Sequence, residues 1–148
     1  MPNADFHCPV AALTGAAAAL ALAPQDGKGA LFEVLGGAVG GLLGGSAPDV
    51  FDPPTSPRHR SFGHGVFTSG AALVWLARQV PRLQAELRQQ RSSPRPLAGE
   101  SSAGPRGSSA PFDPVGHFLA GAAAGFVAGY ASHLVLDGTT RAGLPAFA

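Results

Sequence analysis

Four apolar stretches alternate along the chain with segments rich in charge, proline and serine. Residues 6–25, 34–48, 61–77 and 114–136 contain no Lys, Arg, Asp or Glu, and the last two stretches carry histidines instead. A helix that crosses a bilayer needs about 20 mostly apolar residues. The fourth stretch meets that length, while the other three lean on Ala and Gly. Prolines place the ends. Pro9 opens a helix over residues 9–23, where its missing N–H does no harm, and Pro24 closes it. A second helix is predicted over residues 29–47, stopped by Pro48. The third starts near Gly65 and runs on as a polar, amphipathic extension to Arg91, kinked or interrupted at Pro81. The fourth covers residues 114–137. No segment alternates with a period of two, and no repeat of 20–50 residues stands out. The expected fold class is therefore all-α: a small bundle of four membrane-embedded, Gly/Ala-rich helices in an up-down-up-down arrangement. A soluble bundle of buried Ala/Gly helices is the competing reading.

Glycine spacing adds a packing rule to this outline. The second helix carries Gly36, Gly40 and Gly44 beside Gly37, Gly41 and Gly45, and the fourth carries Gly121, Gly125 and Gly129. Each glycine costs a helix roughly 1 kcal/mol against alanine. Rows at a spacing of four make sense where another backbone approaches closely, as small-xxx-small faces permit in membranes. A flexible Gly-rich loop is the alternative, but Leu, Val and Ala fill the gaps. Residues 92–111 are rich in Ser, Pro, Gly and Arg and have little to bury, so they read as a disordered linker. The chain then forms one domain. Residues 1–91 supply three helices with a candidate metal-site loop at residues 48–64, and residues 112–148 supply the last helix.

Composition narrows the class further. Charged residues are 13% of the 148, against about 25% in an average soluble domain. Ten Lys+Arg face nine Asp+Glu for a net charge of +1, which argues against a nucleic-acid partner. The single cysteine, Cys8, excludes a disulfide framework and a multi-cysteine zinc site and reads as a small buried side chain. The first residues lack the basic region of a secretory signal. Arg78, Arg82, Arg88, Arg91, Arg95 and Arg106 face only Glu86 and Glu100, so the positive-inside rule assigns that region to the cytoplasm. Trp75, just before it, suits a headgroup boundary.

Any metal must be held by histidine and carboxylate. His133 and Asp137 are four apart on one helix face, about 6 Å from each other. Asp49, Asp52, His59 and His64 lie between the second and third helices. In an up-down-up-down bundle the start of the first helix with His7, the 49–64 segment and the end of the fourth helix meet at one pole. His117, about 24 Å along the axis from His133, falls at the other. Six or seven such groups exceed one tetrahedral site and suit zinc, manganese or iron. Paired metals can clamp the attacking and leaving oxygens of a phosphoester. Bland readings stand beside these. His133 and Asp137 can form a hydrogen-bonded helix end, Asp49 a turn, and His59 a solvated surface. Arg58 and Arg60 can bind a phosphate or merely neutralise Asp49 and Asp52.

The same residues form a recognisable pattern. An early His7 is followed by Ala47-Pro48-Asp49 with Asp52-Pro53, by His59-Arg60 and His64, and by Gly129-Tyr130-Ala131-Ser132-His133 with Asp137, Thr140 and Gly143. The chain resembles the inner-membrane metal-dependent hydrolases, the group that includes the LexA-regulated bacterial membrane protein and is similar to helical zinc-dependent phospholipases C and nucleases. Ala47 departs from the usual leucine, and Gly65 from the small hydroxyl residue after the second histidine. The resemblance implies His7, Asp49, His59, His64, His133 and Asp137 as ligands of one to three divalent ions, zinc first among them. It implies Asp52 as a ligand or base. Arg60 is expected to orient substrate charge. The expectation is an integral inner-membrane hydrolase of phosphoesters such as phospholipids, its site on the non-cytoplasmic side. The alternatives are a non-catalytic metal- or partner-binding membrane protein and a soluble helical nuclease-like domain.

Overall fold

The structure, a computed structural model, describes residues 4–24, 27–51, 66–90 and 112–139. These form four helices and, among the described residues, no strand: α1 Ala4–Leu22, α2 Gly27–Phe51, α3 Val66–Gln90 and α4 Pro114–Gly138. Helices consecutive in sequence run antiparallel where they touch, α1 with α2 and α3 with α4, while α2 and α4 pack parallel, so the expected up-down-up-down bundle is the observed one. The helices are longer than their prolines forecast. α1 begins more than a turn ahead of Pro9, α2 continues past Pro48 to Phe51, and α3 is unbroken through Pro81. An internal proline forfeits a backbone bond to the residue four back. Pro48 is fully buried in the bundle, and packing outweighs that lost bond. Asp113 caps α4: its Oδ1 accepts the Val115 N–H at 3.1 Å, with Pro114 in the first turn.

α2 lies wedged between α1 and α4, and the glycine rows explain how. A Cβ built on Gly36, Gly40 or Gly44 would strike the carbonyl of Phe118, Ala122 or Phe126 on α4. One on Gly121, Gly125 or Gly129 would strike the carbonyl of Glu33, Gly37 or Gly41 in return. Gly37 and Gly41 also press on α1, against Gly15 and Ala11. Three backbones therefore approach at a separation that admits no side chain. α3 packs on α4 alone among the described helices.

The packing is inverted relative to a water-soluble protein. The buried apolar side chains are chiefly alanines (Ala11, Ala19, Ala47, Ala120, Ala124), whereas Leu13 is 71% and Leu43 62% exposed, with Leu20, Leu31, Leu35, Leu42 and Val135 outward as well. Apolar surface on this scale does not face water in a monomer. α2 and α4 are long and apolar enough to cross a membrane, and residues 7–22 form a shorter apolar helix.

Candidate metal centre

The first turns of α1, the last turn of α2 and the last turns of α4 meet at one pole of the bundle. His7 arrives from α1, Asp49 from α2, and His133 with Asp137 from α4. The Asp137 carboxylate lies 3.5 Å from His133 Nε2, and Asp49 Oδ1 lies 3.7 Å from the same nitrogen. The rings of His7 and His133 are 4.8 Å apart between centroids and tilted by 59°. One donor atom from each of His7, His133 and Asp137 falls within 4.8 Å of the other two. All three residues are buried, while the Asp49 side chain is 54% exposed at the rim.

Zinc bonds of about 2.0–2.2 Å to nitrogen and oxygen require donors somewhat closer than this, within reach of small side-chain rotations. The chemistry of the donor set fits. Two imidazoles and a carboxylate form a common open site for zinc. The His7 ring nitrogen Nδ1 is buried without a hydrogen-bond partner among the described residues. An unsatisfied buried polar atom costs about 1–3 kcal/mol, and a cation among the three side chains would remove that penalty.

The sequence reading thus finds four of its site residues, His7, Asp49, His133 and Asp137, at one pole. His59, His64, Asp52 and Arg60, and the linker at residues 92–111, lie outside the described residues. His117 sits at the opposite pole, as its position along α4 requires. There the structure adds a cluster that sequence reasoning missed. Glu33 is fully buried on α2; Arg88 donates to its Oε1 at 2.8 Å and Oε2 at 2.6 Å, and also to the Leu22 carbonyl at 3.0 Å. His117 Nδ1 lies 2.8 Å from Glu33 Oε1, its ring stacked on Phe112. The available signal was Glu33 as the one charged residue within the apolar helix predicted over residues 29–47, a group that needs a partner.

Ionisable groups gathered at both ends of a bundle with an apolar exterior belong to a membrane protein. No curated protein and no solved structure matches the chain. A family model does match, over residues 7–148, a span that includes both clusters and all four helices after the first turn: the chain belongs to the YdjM inner membrane protein family.

Proposed function

We propose that the chain is a membrane-embedded, metal-dependent hydrolase acting on phosphoesters, with phospholipid as the substrate class. The observation that carries the reading is the convergence of His7, His133 and Asp137, from opposite ends of the sequence, on one buried point. These three side chains would hold a divalent cation, zinc being the ion their chemistry suits best. The cation, when bound, supplies a Lewis acid for a phosphoryl oxygen and lowers the pKa of water. Asp49, expected as a ligand, stands outside the three-residue donor group at the exposed rim beside His133, and we propose it instead as the carboxylate that accepts a proton from an attacking water. Asp52 is proposed as a further ligand or base, His59 and His64 as ligands of the same centre, and Arg60 as the group that orients the phosphate. The proposed orientation puts the site on the non-cytoplasmic side, a reading supported by the excess of arginine in the sequence between residues 78 and 106 and the positive-inside rule.

The depth at which the three donors are buried favours one other reading, a closed, non-catalytic metal site in a membrane protein that binds a partner. Elemental analysis of purified protein, followed by turnover of phospholipid and generic phosphodiester substrates by wild type and His133→Ala, separates the two. Stoichiometric metal with turnover that His133→Ala abolishes is expected. Stoichiometric metal without turnover overturns the hydrolase, and metal-free protein overturns both.

A further inference from the structure

The outer face of α2 leads to the rim of the candidate metal centre. Leu31, Leu35, Val39, Leu42 and Leu43 are all exposed along it, at the spacings that fall on one side of a helix. Asp49 continues the same line. It stands seven residues beyond Leu42 and 18 beyond Leu31, two turns and five turns of a helix with 3.6 residues per turn. The opposite side of α2 is filled by its neighbours, with Gly36, Gly40 and Gly44 against α4 and Gly37 and Gly41 against α1 and α4. An outward apolar row therefore ends at a carboxylate whose Oδ1 lies 3.7 Å from Nε2 of the buried His133.

The height of that carboxylate follows from the helix. α2 has 25 residues and an apolar sequence that fits a crossing. At 1.5 Å per residue it is about 38 Å long, against a hydrocarbon layer about 30 Å thick. Its last turn, with Asp49, accordingly stands at headgroup level. Apolar side chains are exposed at this level on two helices: Val50 and Phe51 on α2, and Val135, 65% exposed, between His133 and Asp137 on α4. An apolar exterior that reaches a buried donor group is an approach for lipid rather than for a water-soluble ester. Lipid tails are as apolar as leucine, so a lipid can move along the α2 row without leaving hydrocarbon, and its phosphate already lies at the height of Asp49 and His133. A lipid arriving from the aqueous end would first have to draw its chains into water.

We propose that the metal centre takes its substrate sideways out of the leaflet: a diacyl phosphoester whose phosphate stops beside Asp49 and His133 while its acyl chain lies on Leu42 and Leu43, about 10 Å nearer the bilayer midplane. This rests on the hydrolase reading and adds the route by which the substrate arrives. The test reads binding, not turnover. The full chain, treated with chelator, is placed in phosphatidylcholine nanodiscs with a trace of a diacyl phosphonolipid, whose carbon–phosphorus bond resists hydrolysis. The probe carries a diazirine on the acyl chain about 10 Å from the phosphorus. Leu13, exposed on α1 six residues from His7, lies at a comparable depth and reports ordinary lipid contact. Zinc is expected to raise photolabelling of Leu42 and Leu43 at least fivefold relative to Leu13, and His133→Ala to remove the zinc effect. Wild type with and without zinc decides the matter if that variant does not fold. Bound zinc with unchanged labelling overturns the sideways route and leaves the hydrolase standing. A zinc-dependent rise at Leu13 alone overturns the route along α2. Protein that binds no zinc overturns the centre, and the route falls with it.

Discussion

Arg88 on α3 grips both carboxylate oxygens of Glu33 on α2, although the two helices make no backbone approach to each other. The long guanidinium arm is what joins α3 to α2, and through the Leu22 carbonyl it reaches α1 as well. His117 completes the cluster from α4, so side chains or carbonyls of all four helices meet around one carboxylate.

Removing one partner of such a pair strands a buried charge, at a cost of about 3–5 kcal/mol, whereas replacing the whole pair by apolar groups is often neutral. Arg88→Leu alone is therefore expected to lower unfolding stability by that amount, and Glu33→Leu/Arg88→Leu to recover most of it. Reversible unfolding in mixed micelles measures both. Equal loss in the single and double variants would show that Arg88 acts through its aliphatic stem instead.

Glycine substitutions separate close approach from flexibility. Gly40→Ala places a methyl group against the Ala122 backbone and Gly125→Ala places one against Gly37. Neither backbone can yield without moving a helix, so loss of the folded bundle, or at least about 2–3 kcal/mol of overpacking strain, is expected. Gly70, inside α3, has open space where its Cβ would stand. Gly70→Ala should gain up to about 1 kcal/mol from helix propensity. The same unfolding measurement reads all three, and a destabilised Gly70→Ala would contradict this account.

The glycine rows were legible in the sequence because their spacing matches the helix repeat and a single physical need, backbone approach, explains it. The convergence of the candidate ligands was legible for a similar reason. Alternating helix direction alone dictates that His7, Asp49, His133 and Asp137 share an end. Helix boundaries were less legible. Pro9, Pro48 and Pro81 are strong local breakers, yet all three lie inside helices; burial accounts for this at Pro48, whereas Pro9 and Pro81 are exposed and their tolerance has no packing explanation. Glu33 was hidden by distance. Nothing near it in sequence identifies Arg88 or His117, which lie 55 and 84 positions away, as the groups that satisfy it.

A bound cation would stabilise the fold by mass action, by about 2.7 kcal/mol at a hundred times its dissociation constant. Zinc is accordingly expected to raise the melting temperature of chelator-treated protein. His7→Ala and His133→Ala should melt at a temperature that zinc no longer changes. Asp49→Asn, altered only at the rim, should keep the shift and lose turnover. Calorimetry with and without added zinc is the measurement. An unchanged zinc response in His133→Ala would remove that residue from the ligand set.

The two poles should also differ in the compartment they face. Val50 is 72% exposed and adjoins Asp49 at the pole of the candidate metal centre, while Gln89 is exposed one residue from Arg88 at the other. α2 spans the distance between them, and an apolar helix of its length fits a single crossing. With Cys8→Ala as background, Val50→Cys should react with a membrane-impermeant maleimide added to intact spheroplasts. Under the proposed orientation, with the arginine-rich end on the cytoplasmic side, Gln89→Cys should react only after the membrane is opened. Reversed labelling would keep the bundle and turn the site inward. Labelling of both positions from one side would mean that α2 enters and leaves on the same face, ending its assignment as a span.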